Sequence, residues 1–188
     1  MTFDTPPRDI QPPDVPPLIV PVVAFIAARS GTGKTTLMES VLKELTARGY
    51  RVGTVKHSAH RVRIDKEGSD SWRFSRAGAV NSVVVGDNKM AVMRPAPENA
   101  AGQAIRDAAR NADIVLVEGF KEIDLPKIEV YRKDHSTELL AGRGAAESFG
   151  IIAVATDGDL HVDDVPVLPL NEPRVVCDFI VERFFKGG

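Results

Sequence analysis

The stretch Phe25–Thr36, FIAARSGTGKTT, decides the fold. It continues an apolar run, Val22–Ala27, of the kind found in a short parallel strand covered on both faces. Gly31 and Gly33 let the backbone curl until several N–H groups point at one anion. Lys34-Thr35-Thr36 then open a helix, whose first N–H groups lack partners and carry partial positive charge. A lysine for the outer phosphates and a hydroxyl for magnesium complete the chemistry of a Walker A loop. The usual pattern is Gly-x-x-x-x-Gly-Lys-Ser/Thr, and Ala28 stands at its first glycine. Alanine fits there if its φ is negative; a positive φ would cost about 1 kcal/mol.

Working outward, Lys34–Arg48 reads as a helix with Leu37, Met38, Val41, Leu42 and Leu45 on one stripe, ended by Gly49. Arg51–Lys56 reads as a second strand, so the loop sits in the β–loop–α–β context that its chemistry requires. A polar segment, Lys56-His57-Ser58-Ala59-His60, follows where ligands of open α/β sheets bind, beyond the carboxyl ends of the strands. Asp70 or Ser71 is expected to cap a short helix through Arg76. Ala79–Val85 and Lys89–Met93 read as a hairpin around a three-residue turn, Gly86-Asp87-Asn88. A helix is expected over Glu98–Arg110 and a buried strand over Asp113–Val117.

Pro126–Arg132 alternates like a half-buried strand, and Asp134–Ser148 suggests a short helix. Strands are expected at Ile151–Ala155 and Pro166–Leu168, then a helix over Glu172–Phe185 capped by Asn171. The fold class is therefore α/β: a P-loop NTPase-like, mostly parallel sheet flanked by helices, with a β-hairpin insertion. Residues 1–19, with prolines at 6, 7, 12, 13, 16 and 17, read as a loose or partner-docking arm before one domain over 20–188.

The 188 residues carry a net charge of −2, which offers no basic field for nucleic acid and no polybasic run for a membrane surface. No apolar run approaches the roughly 20 residues of a transmembrane helix. One cysteine, Cys177, allows no internal disulfide and fits a reducing cytoplasm. It is expected in the core of the last helix.

The phosphate cradle is expected from Ser30, Gly31, Thr32, Gly33, Lys34, Thr35 and Thr36. For magnesium, Thr35 needs a carboxylate at the same sheet edge. Asp113 opens its strand and faces the far end, whereas Glu118 closes it, so Glu118 is the expected partner. Lys56, His57 and His60 read as an anion contact or as simple loop polarity, not as a zinc site, whose ligand spacing they lack. Thr156-Asp157 follows a buried strand, where a carboxylate suits the N1–H and amino group of guanine; aspartate is also a common turn residue. Arg29 is a cation beside the loop, open to a phosphate or to solvent.

The ordered string SGTGKTT (30–36), KHSAH (56–60), DKEGSDS (65–71), VEGFK (117–121) and PKIEV (126–130) resembles the molybdopterin-guanine dinucleotide biosynthesis protein B family, over about Val22–Asp157. That resemblance implies a homodimeric, GTP-binding accessory protein of molybdenum cofactor biosynthesis. It would assist a guanylyltransferase that acts on a molybdopterin-containing intermediate, with only weak GTP hydrolysis of its own. It also implies magnesium at Thr35 and guanine at Thr156-Asp157. Two other readings compete. A P-loop small-molecule kinase would recruit Arg61, Arg63, Arg73 and Arg76 to a lid. A dimeric binding module would need no nucleotide. The hairpin is the expected dimer contact, or an ordinary edge element.

Overall fold

A computed structural model describes residues 20–58, 62, 64–135, 138–142 and 146–186; the proline-rich arm lies outside them. The strands are β1 (Val22–Ile26), β2 (Val52–Lys56), β3 (Ser82–Val85), β4 (Met90–Met93), β5 (Ile114–Glu118), β6 (Lys127–Tyr131), β7 (Ile151–Thr156) and β8 (Val167–Pro169). The α-helices are α1 (Lys34–Ala47), α2 (Asp70–Arg76), α3 (Ala100–Ala108) and α4 (Pro173–Val181). Six strands form one sheet in the order β2-β5-β1-β6-β7-β8, and every pair is parallel.

Parallel crossovers place helices on both faces, so β1 and β5 are apolar without alternation. Val23, Phe25, Ile114 and Leu116 face α1 and α4 among Leu37, Val41, Leu45, Val176, Cys177 and Ile180. Ala24, Ile26, Val115 and Val117 face the other way, toward Ile105 of α3. Each fully buried Val, Leu, Ile or Phe contributes about 1.5–3 kcal/mol relative to exposure, before entropy is counted. Backbone and helix meet closely at Gly53, where a Cβ would stand 2.0 Å from the Ala108 carbonyl oxygen. β1 is the strand from which chain order departs in both directions, to β5 on one side and β6 on the other. Ligands of open α/β sheets bind at such a switch point.

Several expectations are corrected. β6 is buried on both faces, and its alternating charges are inside: Lys127 and Glu129 are 2% and 0% exposed. Lys127 Nζ donates to the carbonyls of Ile123 (2.6 Å) and Leu125 (3.1 Å), while Glu129 accepts from the N–H groups of Leu140 and Ala141, both at 2.8 Å. Local backbone satisfies each charge, which is what burial of a charged group requires. The hairpin is a separate two-stranded sheet whose turn has two residues, Asp87-Asn88, because Gly86 N–H donates to Lys89 O at 2.8 Å. Ser69, not Asp70 or Ser71, caps α2, accepting from Trp72 N–H at 3.3 Å. Asn171 does not cap α4: Glu172 holds the cap position, ahead of Pro173 in the first turn, without a side-chain bond. Past Val181 the chain continues as a wider π-type turn over Glu182–Lys186. Among the described residues of Asp134–Ser148 there is no α-helix, and a 3-10 turn runs over Glu147–Phe149.

Candidate functional site

The loop between β1 and α1 curls at Gly31 (φ 80°) and Gly33 (φ 91°). Positive φ at non-glycine positions is confined, among the described residues, to Asn111 and Phe120, so Ala28 carries no left-handed strain. Its carbonyl accepts from Lys121 Nζ at 3.1 Å. Lys34 Nζ folds back onto the carbonyl of Arg29 at 3.1 Å. Thr32 is fully buried, and its hydroxyl has no hydrogen-bond partner. Burial lowers the Lys34 pKa; Glu118 opposes that shift, while Lys121 and Lys56 add to it. Several ammonium groups thus crowd one loop, and a bound polyanion would relieve their repulsion.

Glu118 ends β5 beside β1, in register with Phe25 and with Lys56 of β2. Its Oε2 accepts from Thr35 Oγ1 at 2.9 Å, and Lys56 Nζ lies 3.2 Å from each carboxylate oxygen. Asp113 stands at the other end of the strand and pairs with Arg51. A hydroxyl and a carboxylate side by side form a hard-oxygen donor set that suits magnesium, which usually takes one or two protein oxygens and leaves the rest to phosphates and water. Among the described residues no three His, Cys, Asp or Glu side chains gather to hold a metal by themselves.

His57 joins this corner. Its N–H donates to Glu118 O at 2.9 Å, and its ring stacks on Phe120 at 4.4 Å and 19°. Gly119 (φ 93°) makes room, since a Cβ there would stand 3.0 Å from His57 Cβ. His60, Arg61 and Arg63 lie outside the described residues. Of the other lid candidates, Arg73 lies 3.5 Å from Asp70 and Arg76 sits over the Trp72 ring. Asp65 accepts from the hydroxyls of Ser69 (3.1 Å) and Ser71 (2.6 Å), which ties it to the start of α2.

Thr156 and Asp157 stand at the carboxyl end of β7. They line a cavity of about 600 Å³ with Lys133, Gly158, Pro169 and Asn171. A second cavity, about 290 Å³, lies over Gly33, Thr36, Ser40 and Arg132, and both include Leu170 and Asn171. The two form one trough from the phosphate loop to Asp157. Asp157 Oδ1 accepts from Lys133 N–H at 3.3 Å, and Oδ2 lies 3.5 Å from Arg132 Nε. Thr156 Oγ1 accepts from Gly158 N–H at 3.2 Å. Sequence reasoning passed over Arg132. The signal was available: it follows a parallel strand beside β1, the same rule that selects Glu118.

A family model described as "Molybdopterin guanine dinucleotide synthesis protein B" matches residues 22–157. The chain is 37% identical to a molybdopterin-guanine dinucleotide biosynthesis adapter protein of Escherichia coli, covering 89% of this chain and 95% of that one. A protein of the same description from Haemophilus influenzae is 36% identical over 82% of this chain and 85% of its own. In fold it is similar to the crystal structure of Bacillus subtilis MobB, with a TM-score of 0.66 at 22% identity over 87% and 98% of the two chains.

Proposed function

The chain belongs to the molybdopterin guanine dinucleotide synthesis protein B family, and on that premise we propose that it is a GTP-binding accessory protein of molybdenum cofactor biosynthesis. The observation that carries the nucleotide reading is the 2.9 Å bond between Thr35 Oγ1 and Glu118 Oε2 at the mouth of the phosphate loop. It joins the two side chains that a magnesium–phosphate complex needs, on adjacent elements, with Lys34 and Lys56 beside them.

In this reading Ser30–Thr36 wrap the phosphates, Lys34 leaves the Arg29 carbonyl for the outer phosphate oxygens, and Thr35 and Glu118 hold magnesium. Magnesium would neutralise phosphate charge there. Lys56 and His57, with His60, supply an anion contact along the same edge. The base lies toward Thr156 and Asp157, whose carboxylate has lone pairs for the guanine N1–H and amino donors. Glu118 is committed to Thr35 and Lys56, so it is poorly placed to activate water, and hydrolysis is slow without a partner. The partner is a guanylyltransferase acting on a molybdopterin-containing intermediate. The protein acts in the cytoplasm; no described helix is long and apolar enough to cross a membrane. It forms a homodimer through the β3–β4 hairpin.

The test is equilibrium binding of GTP and ATP with magnesium. GTP should bind about tenfold or more tightly, since an unmatched buried donor or acceptor costs about 1–3 kcal/mol. Lys34→Ala should remove binding of both. ATP binding equal to or tighter than GTP binding would overturn the guanine assignment.

A further inference from the structure

We propose that Arg132 is a phosphate-contacting residue of the nucleotide site, positioned by Asp157, so that one guanidinium joins the base end of the trough to its phosphate end. This rests on the nucleotide site proposed above.

Topology brings Arg132 there. β6 lies between β1 and β7, and its last residue, Tyr131, is in register with Thr156. The next residue therefore leaves the sheet between the phosphate loop and the loop that carries Asp157. Its side chain is 34% exposed and reaches both. Arg132 Nε lies 3.5 Å from Asp157 Oδ2. Its Nη2 lies 3.4 Å from the point where a Cβ on Gly33 would stand. Thr36 and Ser40, on the first turns of α1, line the same cavity. An arginine so placed faces the end of the loop where backbone N–H groups converge on an anion.

The chemistry suits the position. A guanidinium is a planar fork of five donors and can hold a carboxylate on one edge and a phosphate oxygen on another. A carboxylate offers about four lone-pair sites. Lys133 N–H donates to Oδ1, and Arg132 Nε faces Oδ2 across 3.5 Å as an ion pair without a hydrogen bond from that atom, which leaves Asp157 able to receive a base edge as well. Asp157 thereby acts on the phosphates through Arg132, although it faces the base end. The competing account makes the Arg132–Asp157 pair a staple between two loops, with no ligand contact.

A base-free probe separates the two. Inorganic tripolyphosphate and GTP, each with magnesium, compete against a fluorescent GTP analogue on the full chain. The proteins are wild type, R132A, R132K, D157N and the R132A/D157N double variant, and a thermal midpoint for each checks folding. R132A should weaken both ligands by about tenfold or more, the usual effect of losing a charge-assisted bond. R132K should recover part of that loss. D157N should weaken tripolyphosphate about threefold or more and add nothing on top of R132A, as coupled positions do. A residue serving the base alone would leave tripolyphosphate unmoved.

The inference is overturned if tripolyphosphate binds R132A, or D157N, within about twofold of wild type, a change too small for a lost charged contact. If wild type binds both ligands and these variants bind them equally well, Arg132 loses its role and the nucleotide site stands. If wild type binds neither, both readings fall. Should R132A not fold, R132K and D157N carry the same comparison.

Discussion

The Asp113 carboxylate accepts from the Arg51 guanidinium at 2.6 Å (Nη2 to Oδ1) and 3.1 Å (Nε to Oδ2), and from the Arg51 backbone N–H at 2.8 Å. These bonds, the guanidinium first and the backbone N–H second, hold its pKa down at about 2. The folded value lies below the unfolded one, so the pair's stabilisation is fully present above the ordinary carboxylate value, near 4, and is lost as pH falls toward about 2. Asp113→Asn should therefore lower the urea midpoint at pH 7, and its gap from wild type should close on acidification across that window. A gap independent of pH would show that the charge is not the cause. The sequence assigned Asp113 and Glu118 to opposite ends of one strand because the direction of a parallel strand is fixed by its crossover. The same strand-end rule reaches the position of Arg132, but nothing in YRKD says that the side chain turns back over Gly33. Nor did local pattern reveal that Lys127 and Glu129 are inside. Their partners, Leu125 and Ile123 before the strand and Leu140 and Ala141 after it, are set by tertiary folding.

At the scale of the element, the apolar runs of β1, β5 and β7 and the stripe of α1 were legible because each has a single consistent burial. β6 was misread because period-two alternation describes charge there, not exposure. The hairpin was legible as a hairpin but not as a surface. Its register puts Val83 opposite Val92 and Val85 opposite Met90 on one face. These side chains are 53%, 51%, 74% and 68% exposed. Four large apolar groups on one exposed face form the kind of patch that marks an association site. Each would contribute about 1.5–3 kcal/mol if fully covered. Light scattering should find the wild type dimeric at micromolar concentration, and Val85→Asp should shift it to monomer without moving the thermal midpoint of the isolated subunit. A monomeric wild type, or a Val85→Asp dimer of unchanged affinity, would remove the hairpin from the interface.

Across the whole molecule, Lys34, Thr35, Lys56, Glu118, Arg132 and Asp157 reach one edge of the sheet from five separate chain segments. A ligand that spans this edge ties those segments together and should stabilise the fold by mass action. At a concentration one hundred times its dissociation constant it adds about 2.7 kcal/mol. For a chain of 188 residues each kcal/mol is worth about 2–4 °C, so magnesium–GTP should raise the thermal midpoint by about 5–10 °C. The stabilisation comes from occupancy, so a nonhydrolysable GTP analogue of similar affinity should give the same rise. With the Glu118 carboxylate engaged by Thr35 and Lys56, the isolated protein should turn over GTP below the ordinary enzyme range of about 1–1000 per second. Phosphate release and calorimetry on one preparation check both statements. A full thermal shift with slow release describes a protein that holds its nucleotide for a partner to act on, whereas release within the enzyme range would mean that the edge itself supplies the hydrolytic water's base.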